Sequence, residues 1–227
     1  SGASLSLWCM GLNQRSNGVW ANNLIHNLHI LTGNIGKPGA DSFSLTGQPN
    51  ACGGVRETGS LSHLLPGCKP VTIEPWRKHV ESYWKVSDYS INPSKAINPK
   101  PGFPAVKLFS SLGGENQQDK PVKAVIISTT NPAQSLPNIN KYIPNIRNAF
   151  TVVIDIFPTR TAQLASVVLP ASFLYEKGGV YGCSERRSFL TQKAIEPLEG
   201  TKPDLWIACQ IAKRMGLEKY IAWSNEE

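Results

Sequence analysis

Three polar residues follow short apolar runs of the kind that form buried strands. Asn131 follows an apolar run at residues 124–127, Asp155 ends a second run, and Lys177 comes after a third. Ligands bind at the carboxyl ends of parallel strands because backbone groups and helix N-termini converge there. An aspartate in that position can accept two hydrogen bonds from a pair of donors, such as a guanine edge or two ribose hydroxyls. A lysine there can neutralise a phosphate or a carboxylate.

Each of the three residues also has a local structural explanation. Asn131 precedes Pro132 and suits a turn, and Asp155 is equally suited to capping the helix that follows it. Lys177 lies beside Glu176 and, on its residue type alone, is better explained as a surface lysine. These residues therefore predict a ligand-binding edge of a sheet without identifying the ligand.

A second polar group consists of Gln48, Arg56 and Glu57. It lies in a segment between Gly33 and Gly67 that is rich in Gly, Ser, Thr, Asn and Pro, which predicts a long irregular loop. The planar guanidinium of Arg56 can orient a small oxyanion. A salt bridge between Arg56 and Glu57 is the slightly favoured alternative.

The histidines and cysteines show no metal-site spacing. None of the five cysteines forms a C-x-x-C pair, so neither a zinc site nor an iron–sulfur cluster is encoded locally. His26 and His29 lie three apart on a predicted helix and are better explained as core or surface residues. Met10 is more often a core residue than a cofactor contact. No Gly-rich phosphate-binding signature is present.

The net charge of +7 would suit a polyanionic partner only if the basic residues were clustered. They adjoin one another only in scattered pairs, which favours a solvated basic surface over a nucleic-acid site. No apolar stretch approaches the ~18–20 residues of a membrane span, and the start of the chain lacks a signal-peptide pattern. Both ends run directly into apolar segments, which we interpret as a piece excised from a longer protein.

The first element that positions these residues is a helix between Gly18 and Gly33, where apolar residues recur at spacings of four, four and three. Helix-like spacing also occurs near residues 80–84 and at 105–112. A last helix begins around Pro203 and Asp204, is complemented there by the aspartate charge, and ends before a glycine at position 216.

The three β-branched runs lack alternation, which predicts parallel strands buried on both faces. Between the second and third runs, Thr159 is a plausible N-cap for a helix over residues 159–165. The predicted fold class is therefore α/β, a largely parallel sheet with helices on both faces, similar to dinucleotide-binding domains. An N-terminal helix and a long loop precede it. We place a domain boundary between residues 45 and 46, with the α/β domain at 46–227.

Several segments resemble the molybdopterin oxidoreductase family. The resemblance begins with LWCMGLNQ at residues 7–14 and continues through residues 18–33. The segment FSLTGQPNACG at residues 43–53 narrows it to nitrate reductases, and residues 131–138 and 158–187 agree. Residues 51–57 are similar to the periplasmic branch, whereas the assimilatory branch tends to be one residue shorter there, with Met in place of the cysteine.

The resemblance implies a molybdenum atom held by two molybdopterin guanine dinucleotides, and a 4Fe-4S cluster in an N-terminal part that this sequence lacks. It implies transfer of an oxygen atom from nitrate, with nitrite as product and electrons supplied by a protein donor, a cytochrome-type subunit. Residues 46–227 would then form the domain that binds the guanine dinucleotide, and the location would be the periplasm. The isolated chain is expected to be inactive because the cysteines that ligate molybdenum and the cluster are missing from it.

The resemblance also assigns residues. Gln48 and Arg56 match residues that line the molybdenum pocket near the substrate. Ile154 stands where Ser is common, so only its backbone could bind, and Cys183 stands where Asn is common. The implied cofactor contacts are Met10, Gln14, Asn131, Ile154, Asp155, Lys177 and Asp204.

Two alternatives stay open at this point. One is a cytoplasmic assimilatory nitrate reductase, which a twin-arginine signal in the full-length protein would exclude. The other is a non-catalytic α/β binding module. In either case we expect Asn131 and Asp155 to lie at the carboxyl ends of neighbouring parallel strands and to face one cleft with Lys177. Asp204 should open a helix nearby.

Overall fold

The computed structural model describes residues 2–45, 47–48, 50–59, 61–88, 94–113, 122–183 and 187–221, and for Val55 and Arg56 it describes the backbone only. The chain divides into two compact units. The N-terminal unit comprises Ser1–Val55 and Tyr181–Ser188, and the sheet unit comprises Arg56–Val180 and Phe189–Glu227.

The N-terminal unit is built on two short parallel strands and one long helix. Strand β1 pairs with β2 so that Leu5 lies opposite Asp41 and Trp8 opposite Ser44. The predicted helix is present and ends just before Gly33, whose φ of +65° is the left-handed conformation that glycine adopts after a helix. The elements are β1 (Leu5–Trp8), α1 (Met10–Asn13), α2 (Gly18–Leu31) and β2 (Asp41–Ser44). A π-helix (Ala51–Glu57) follows, and its residues 51–55 belong to this unit.

The prediction of one long irregular loop between Gly33 and Gly67 is wrong. That segment contains β2, the π-helix and the short strand β3 (Leu64–Leu65), which pairs antiparallel with β4 (Lys69–Pro70). The strands are too short for a pattern of alternation to show in the sequence. A π-helix has no sequence signal of its own, so Gly and Asn there were interpreted as loop residues.

The sheet unit contains three parallel strands in the order β5-β6-β7. Val125 lies opposite Thr151, and Val152 lies opposite Val167, so each strand is in register with the next. The predicted α/β class with a parallel sheet is therefore confirmed. The helices and strands of this unit are α3 (Glu74–Trp84), α4 (Ala105–Ser110), β5 (Ala124–Ser128), α5 (Pro132–Ser135), α6 (Ile143–Asn148), β6 (Phe150–Asp155), β7 (Val167–Pro170) and α7 (Asp204–Arg214). Strands β8 (Gly179–Gly182) and β9 (Ser188–Thr191) have residues in both units.

The core of the sheet unit packs one face of the sheet against helices α4, α5 and α6. Its fully buried members include Leu112, Ile146 and Val153. Strand β6, at the centre of the sheet, is buried along most of its length. The outer strands differ from the expected burial on both faces, since β5 alternates and leaves Ile126 58% exposed. Successive side chains of a strand point to opposite faces of the sheet, so this alternation means that one face of β5 is packed in the core and the other is not covered.

One of two predicted helices is shorter than expected, and the other is confirmed. Thr159 accepts a hydrogen bond from the N–H of Ala162 through its Oγ1 at 3.2 Å, as expected of a capping residue. The helix that follows is reduced to one 3-10 turn, Ala162–Leu164. Helix α7 begins at Asp204 with Pro203 as its N-cap and is followed by Gly216 at a φ of +78°. No helix in the part of the chain that the structure describes is long and apolar enough to cross a membrane.

Candidate functional site: the carboxyl edge of the parallel sheet

Asn131 and Asp155 lie at the carboxyl ends of adjacent parallel strands, as the sequence predicts. Strand β5 ends at Ser128, three residues before Asn131, and Asp155 is the last residue of β6. Parallel pairing places both strand ends on one edge of the sheet. That part of the prediction is confirmed, whereas the shared cleft with Lys177 stays a prediction.

The carboxamide of Asn131 joins the loop after β5 to the loop after β6. Its Oδ1 accepts hydrogen bonds from Thr161, at 2.7 Å from Oγ1 and 3.2 Å from the backbone N. Its Nδ2 donates to Oε1 of Gln134 at 2.9 Å. The side chain thus has a structural function in this network, and its backbone and remaining amide hydrogen are the groups through which it can contact a ligand.

Thr161 is the residue of this edge that the sequence did not reveal. It is fully buried, and its Oγ1 donates to Asn131 while accepting from the N–H of Ala133 at 3.0 Å. One hydroxyl therefore ties the start of helix α5 to the turn after β6. No local pattern distinguishes this threonine from a solvent-exposed one, because its partners are about 30 residues away in the sequence.

The carboxylate of Asp155 is anchored by its own loop. Oδ1 accepts hydrogen bonds from the N–H groups of Ile156 at 2.7 Å and Phe157 at 3.3 Å. These partners belong to the loop directly after the strand, and the next helical turn begins only at Ala162, so Asp155 does not cap a helix as the alternative interpretation expected. The two hydrogen bonds fix the orientation of the carboxylate at the strand end, which is compatible with a ligand contact through the same group.

Lys177 forms an ion pair with Asp204, the first residue of helix α7. Its side chain is only 19% exposed, so the favoured interpretation as a surface lysine beside Glu176 is wrong. Glu176 instead accepts a hydrogen bond from the N–H of Phe173 at 2.7 Å and closes a 3-10 turn. The sequence did not show this because Lys177 and Asp204 are 27 residues apart.

The second carboxylate oxygen of Asp204, Oδ1, is buried, and no residue that the structure describes makes a hydrogen bond to it. A buried acceptor without a donor costs about 1–3 kcal/mol, and such groups are rare in folded proteins. Helix α7 presents its N-terminal N–H groups at the same end, where partial positive charge favours anions. The oxygen is therefore available to a donor from a bound molecule.

The side chain of Ile154 is buried in a cluster with Ala171 and Ile207. Its carbonyl accepts a hydrogen bond from the N–H of Thr129 at 3.0 Å. With its side chain inside the protein, Ile154 can contact a ligand only through its backbone.

The N-terminal unit carries the other predicted residues. Met10 begins helix α1 and is 44% exposed, and Gln14 follows the end of that helix. Gln48 is exposed, and its carbonyl accepts a hydrogen bond from the N–H of Ala51 at 3.2 Å. The side chain of Arg56 lies outside the described residues. Its backbone belongs to the π-helix Ala51–Glu57.

The histidines of helix α2 have structural partners. His29 is buried, with Nε2 at 2.7 Å from Oγ of Ser6 and Nδ1 at 3.1 Å from the carbonyl of Asn34. His26 makes a 2.7 Å hydrogen bond to Ser42. Both histidines thus join α2 to the strands beside it, in agreement with a core or surface placement.

A parallel sheet with an anchored aspartate at a strand end and a lysine–aspartate pair at a helix N-terminus is an arrangement typical of α/β proteins that bind ligands at the carboxyl edge of the sheet. The chain belongs to the molybdopterin oxidoreductase family, whose sequence profile matches residues 2–214.

Two relatives of this chain within the family are named as nitrate reductases. The chain is 48% identical over 225 residues to a nitrate reductase of Symbiobacterium thermophilum, covering 98% of this chain and 28% of the relative. It is 48% identical over 221 residues to a periplasmic nitrate reductase of Desulfovibrio desulfuricans, covering 96% of this chain and 28% of the relative. The chain thus spans little more than a quarter of the length of these relatives. Acetylene hydratase from Pelobacter acetylenicus is a solved structure with 28% identity and a TM-score of 0.48, over 53% of this chain and 17% of that one.

Proposed function

We propose that this chain is part of a molybdenum-dependent nitrate reductase that reduces nitrate to nitrite by oxygen-atom transfer. The observation that carries the proposal is 48% identity, sustained over nearly the whole chain, to two proteins named as nitrate reductases. Because the chain spans 28% of those proteins, the activity belongs to the full-length polypeptide. Residues 46–227 would form the cofactor-binding domain, and residues 1–45 the end of its neighbour.

The residues at the carboxyl edge of the sheet fit a molybdopterin guanine dinucleotide. A guanine edge and ribose hydroxyls offer hydrogen-bond donors, and the buried Oδ1 of Asp204 is an acceptor with no partner among the described residues. Asp155 presents an oriented carboxylate at a strand end. The ammonium of Lys177 balances the charge of Asp204 and can contact a phosphate.

When bound, the cofactor would supply the redox chemistry, which is the removal of one oxygen atom from nitrate with electrons that arrive through a 4Fe-4S cluster. This chain would hold and orient it. Asn131 and Ile154 would contribute mainly backbone groups, because their side chains are engaged in the loop network and in the core. Met10 and Gln14 would contribute from helix α1 and its end in the N-terminal unit.

Gln48 and Arg56 would act on the substrate. They lie on one continuous segment, and Gln48 is exposed. A guanidinium attracts nitrate by charge and orients it through its planar set of donors. The amide of Gln48 can donate a hydrogen bond to a nitrate oxygen. Both groups bind and orient the anion, and neither needs to transfer a proton.

Electrons would come from a cytochrome-type donor protein, and the enzyme would work in the periplasm. The periplasmic location is favoured by the similarity of residues 51–57 to the periplasmic branch and by the name of the Desulfovibrio desulfuricans relative.

The proposal is tested in the full-length holoenzyme with a reduced dye as electron donor. Arg56→Ala should raise the KM for nitrate or lower kcat/KM at least tenfold while molybdenum content stays near normal, because the anion loses a charged contact. Arg187→Ala, which removes an exposed arginine from another part of the chain, is the matched control and should leave the kinetics unchanged. Unchanged kinetics in Arg56→Ala would remove that residue from the site, and absence of nitrate reduction by the wild-type holoenzyme would overturn the function itself.

A further inference from the structure

A side chain of the segment that follows Gln48 makes a hydrogen bond to a strand far away in the sequence. Oδ1 of Asn50 accepts a hydrogen bond from the N–H of Gly182, the last residue of β8, at 2.8 Å. The two residues are 132 positions apart in the sequence and lie in the same N-terminal unit. This contact fixes the start of the π-helix against β8.

Two glycines allow the segment and the strand to meet. A Cβ added to Gly53 would lie 2.3 Å from Oδ1 of Asn50 and 2.9 Å from the N of Gly182. A Cβ added to Gly182 would lie 2.8 Å from the N of Gly53. Neither glycine has a positive φ among those recorded for the chain, so the requirement for glycine here is space between two backbones.

Asn50 suits its position for two separate reasons. Its φ of +58° is left-handed, a conformation in which Asn is enriched over other non-glycine residues. Its carbonyl also accepts a hydrogen bond from the N–H of Gly54 at 2.7 Å, so the backbone of Asn50 continues into the π-helix. One residue therefore supplies the turn, the first helical acceptor and the side-chain link to β8.

Residues 51–57 form a π-helix, which is rare and is found frequently at functional sites. Contacts from outside meet this π-helix near both ends. The carbonyl of Glu57 accepts a hydrogen bond from the N–H of Gly67 at 2.9 Å. At the other end lies the group formed by Asn50, Gly53 and Gly182, which we call the asparagine clamp. Gln48 lies immediately before it, and the backbone of Arg56 belongs to the π-helix that follows it.

We propose that the asparagine clamp is a positioning device for nitrate binding. It fixes the backbone at Asn50, and the N–H of Ala51 in turn donates a hydrogen bond to the carbonyl of Gln48 at 3.2 Å, so the clamp holds Gln48 in place for its contact with the anion. This inference rests on the proposed function of Gln48. The clamp itself, a hydrogen bond and two close backbone contacts, is a separate feature that can be measured independently of activity.

The test separates the hydrogen bond from the backbone conformation of Asn50, again in the full-length holoenzyme. Asn50→Gly keeps the left-handed φ accessible and removes the acceptor, whereas Asn50→Asp keeps an acceptor oxygen. We expect Asn50→Gly to raise the KM for nitrate about tenfold, with kcat changed less and molybdenum content unchanged. Asn50→Asp should restore the KM to within about threefold of wild type.

A glycine pair provides the matched control. Gly53→Ala places a methyl group against Asn50 and Gly182 and should raise the KM at least as much as Asn50→Gly. Gly47→Ala adds the same methyl group where no atom lies within 4 Å and should leave the KM within about twofold of wild type. Hydrogen exchange of the peptide that contains Gly182 should accelerate in Asn50→Gly and Gly53→Ala but not in Gly47→Ala.

The outcomes distinguish the clamp from the function on which it rests. Accelerated exchange at Gly182 with an unchanged KM would overturn the positioning role, and unchanged exchange in Asn50→Gly would overturn the clamp. Failure of the proposed function would show instead as a wild-type holoenzyme that does not reduce nitrate or an Arg56→Ala variant with normal kinetics. The clamp and its positioning role are both supported if Asn50→Gly raises the KM and accelerates exchange at Gly182, and if Asn50→Asp restores the KM.

Discussion

Helix α2 and the parallel sheet were both predicted from the spacing of apolar residues, and they differ in how far those residues are covered. The predicted apolar face of α2 consists of Trp20, Leu24, Leu28 and Leu31, whose side chains are 59–85% exposed. In the sheet, Val153 is fully buried and Ile154 is 7% exposed. The spacing of apolar residues thus predicts the helix in one region and the strands in the other. It does not show whether the residues that pack against them belong to these 227 residues.

The largest effect is expected in the core of the sheet unit. Ile146→Ala in helix α6 should lower the free energy of unfolding by about 2–5 kcal/mol, because it leaves a cavity at a fully buried position. Ile126→Ala, on the exposed face of β5, is the matched control and should cost clearly less. Denaturant unfolding of the 227-residue chain measures both, and equal costs would show that the exposed face of the sheet is covered after all.

The next effect concerns the hydroxyl that joins the two strand-end loops. Thr161→Val keeps the shape of the side chain but removes the acceptor for the buried N–H of Ala133 and the donor to Asn131. Unfolding should become easier by about 1–3 kcal/mol, the cost of unpaired buried polar groups. Thr161→Ser retains the hydroxyl and should lose less than the valine variant. A valine variant as stable as wild type would mean that water replaces the hydroxyl.

A smaller effect is expected for the ion pair at the start of helix α7. Lys177→Met should lower stability by about 1 kcal/mol, at the upper end of the range for ion pairs that water partly screens. The pair of Lys193 and Glu196 lies 2.8 Å apart but is far more exposed, so Lys193→Met should have almost no effect. If both variants lose the same stability, burial does not decide the strength of these pairs.

These regions also show how far the sequence alone could predict the structure. The β-branched runs correctly predicted the three strands and their parallel pairing, although only the central strand β6 is buried along most of its length as that prediction assumed. The same sequence placed Asn131 and Asp155 at strand ends correctly. It did not reveal that Lys177 pairs with Asp204, that Thr161 joins two loops, or that Asn50 reaches Gly182. Each of these contacts links residues far apart in the sequence, and no local pattern encodes such a partner.

The smallest change in the free energy of unfolding of the 227-residue chain is expected on the exposed face of α2. Leu24→Ser in the 227-residue chain should change the free energy of unfolding by less than about 0.5 kcal/mol, because Leu24 is 69% exposed and loses little packing. The chain spans 28% of the length of its relatives, so we expect polypeptide outside these residues to cover this face in the longer protein. In the full-length protein the same substitution should therefore cost about 2–5 kcal/mol, the range for truncating a buried leucine.

Val19→Ser, also on α2 but outside that face, is the control and should have the same effect in the 227-residue chain and in the full-length protein. Equal effects of Leu24→Ser in the two proteins would show that the apolar face of α2 stays exposed to solvent, and the contrast with the sheet would then reflect the fold itself rather than the length of chain.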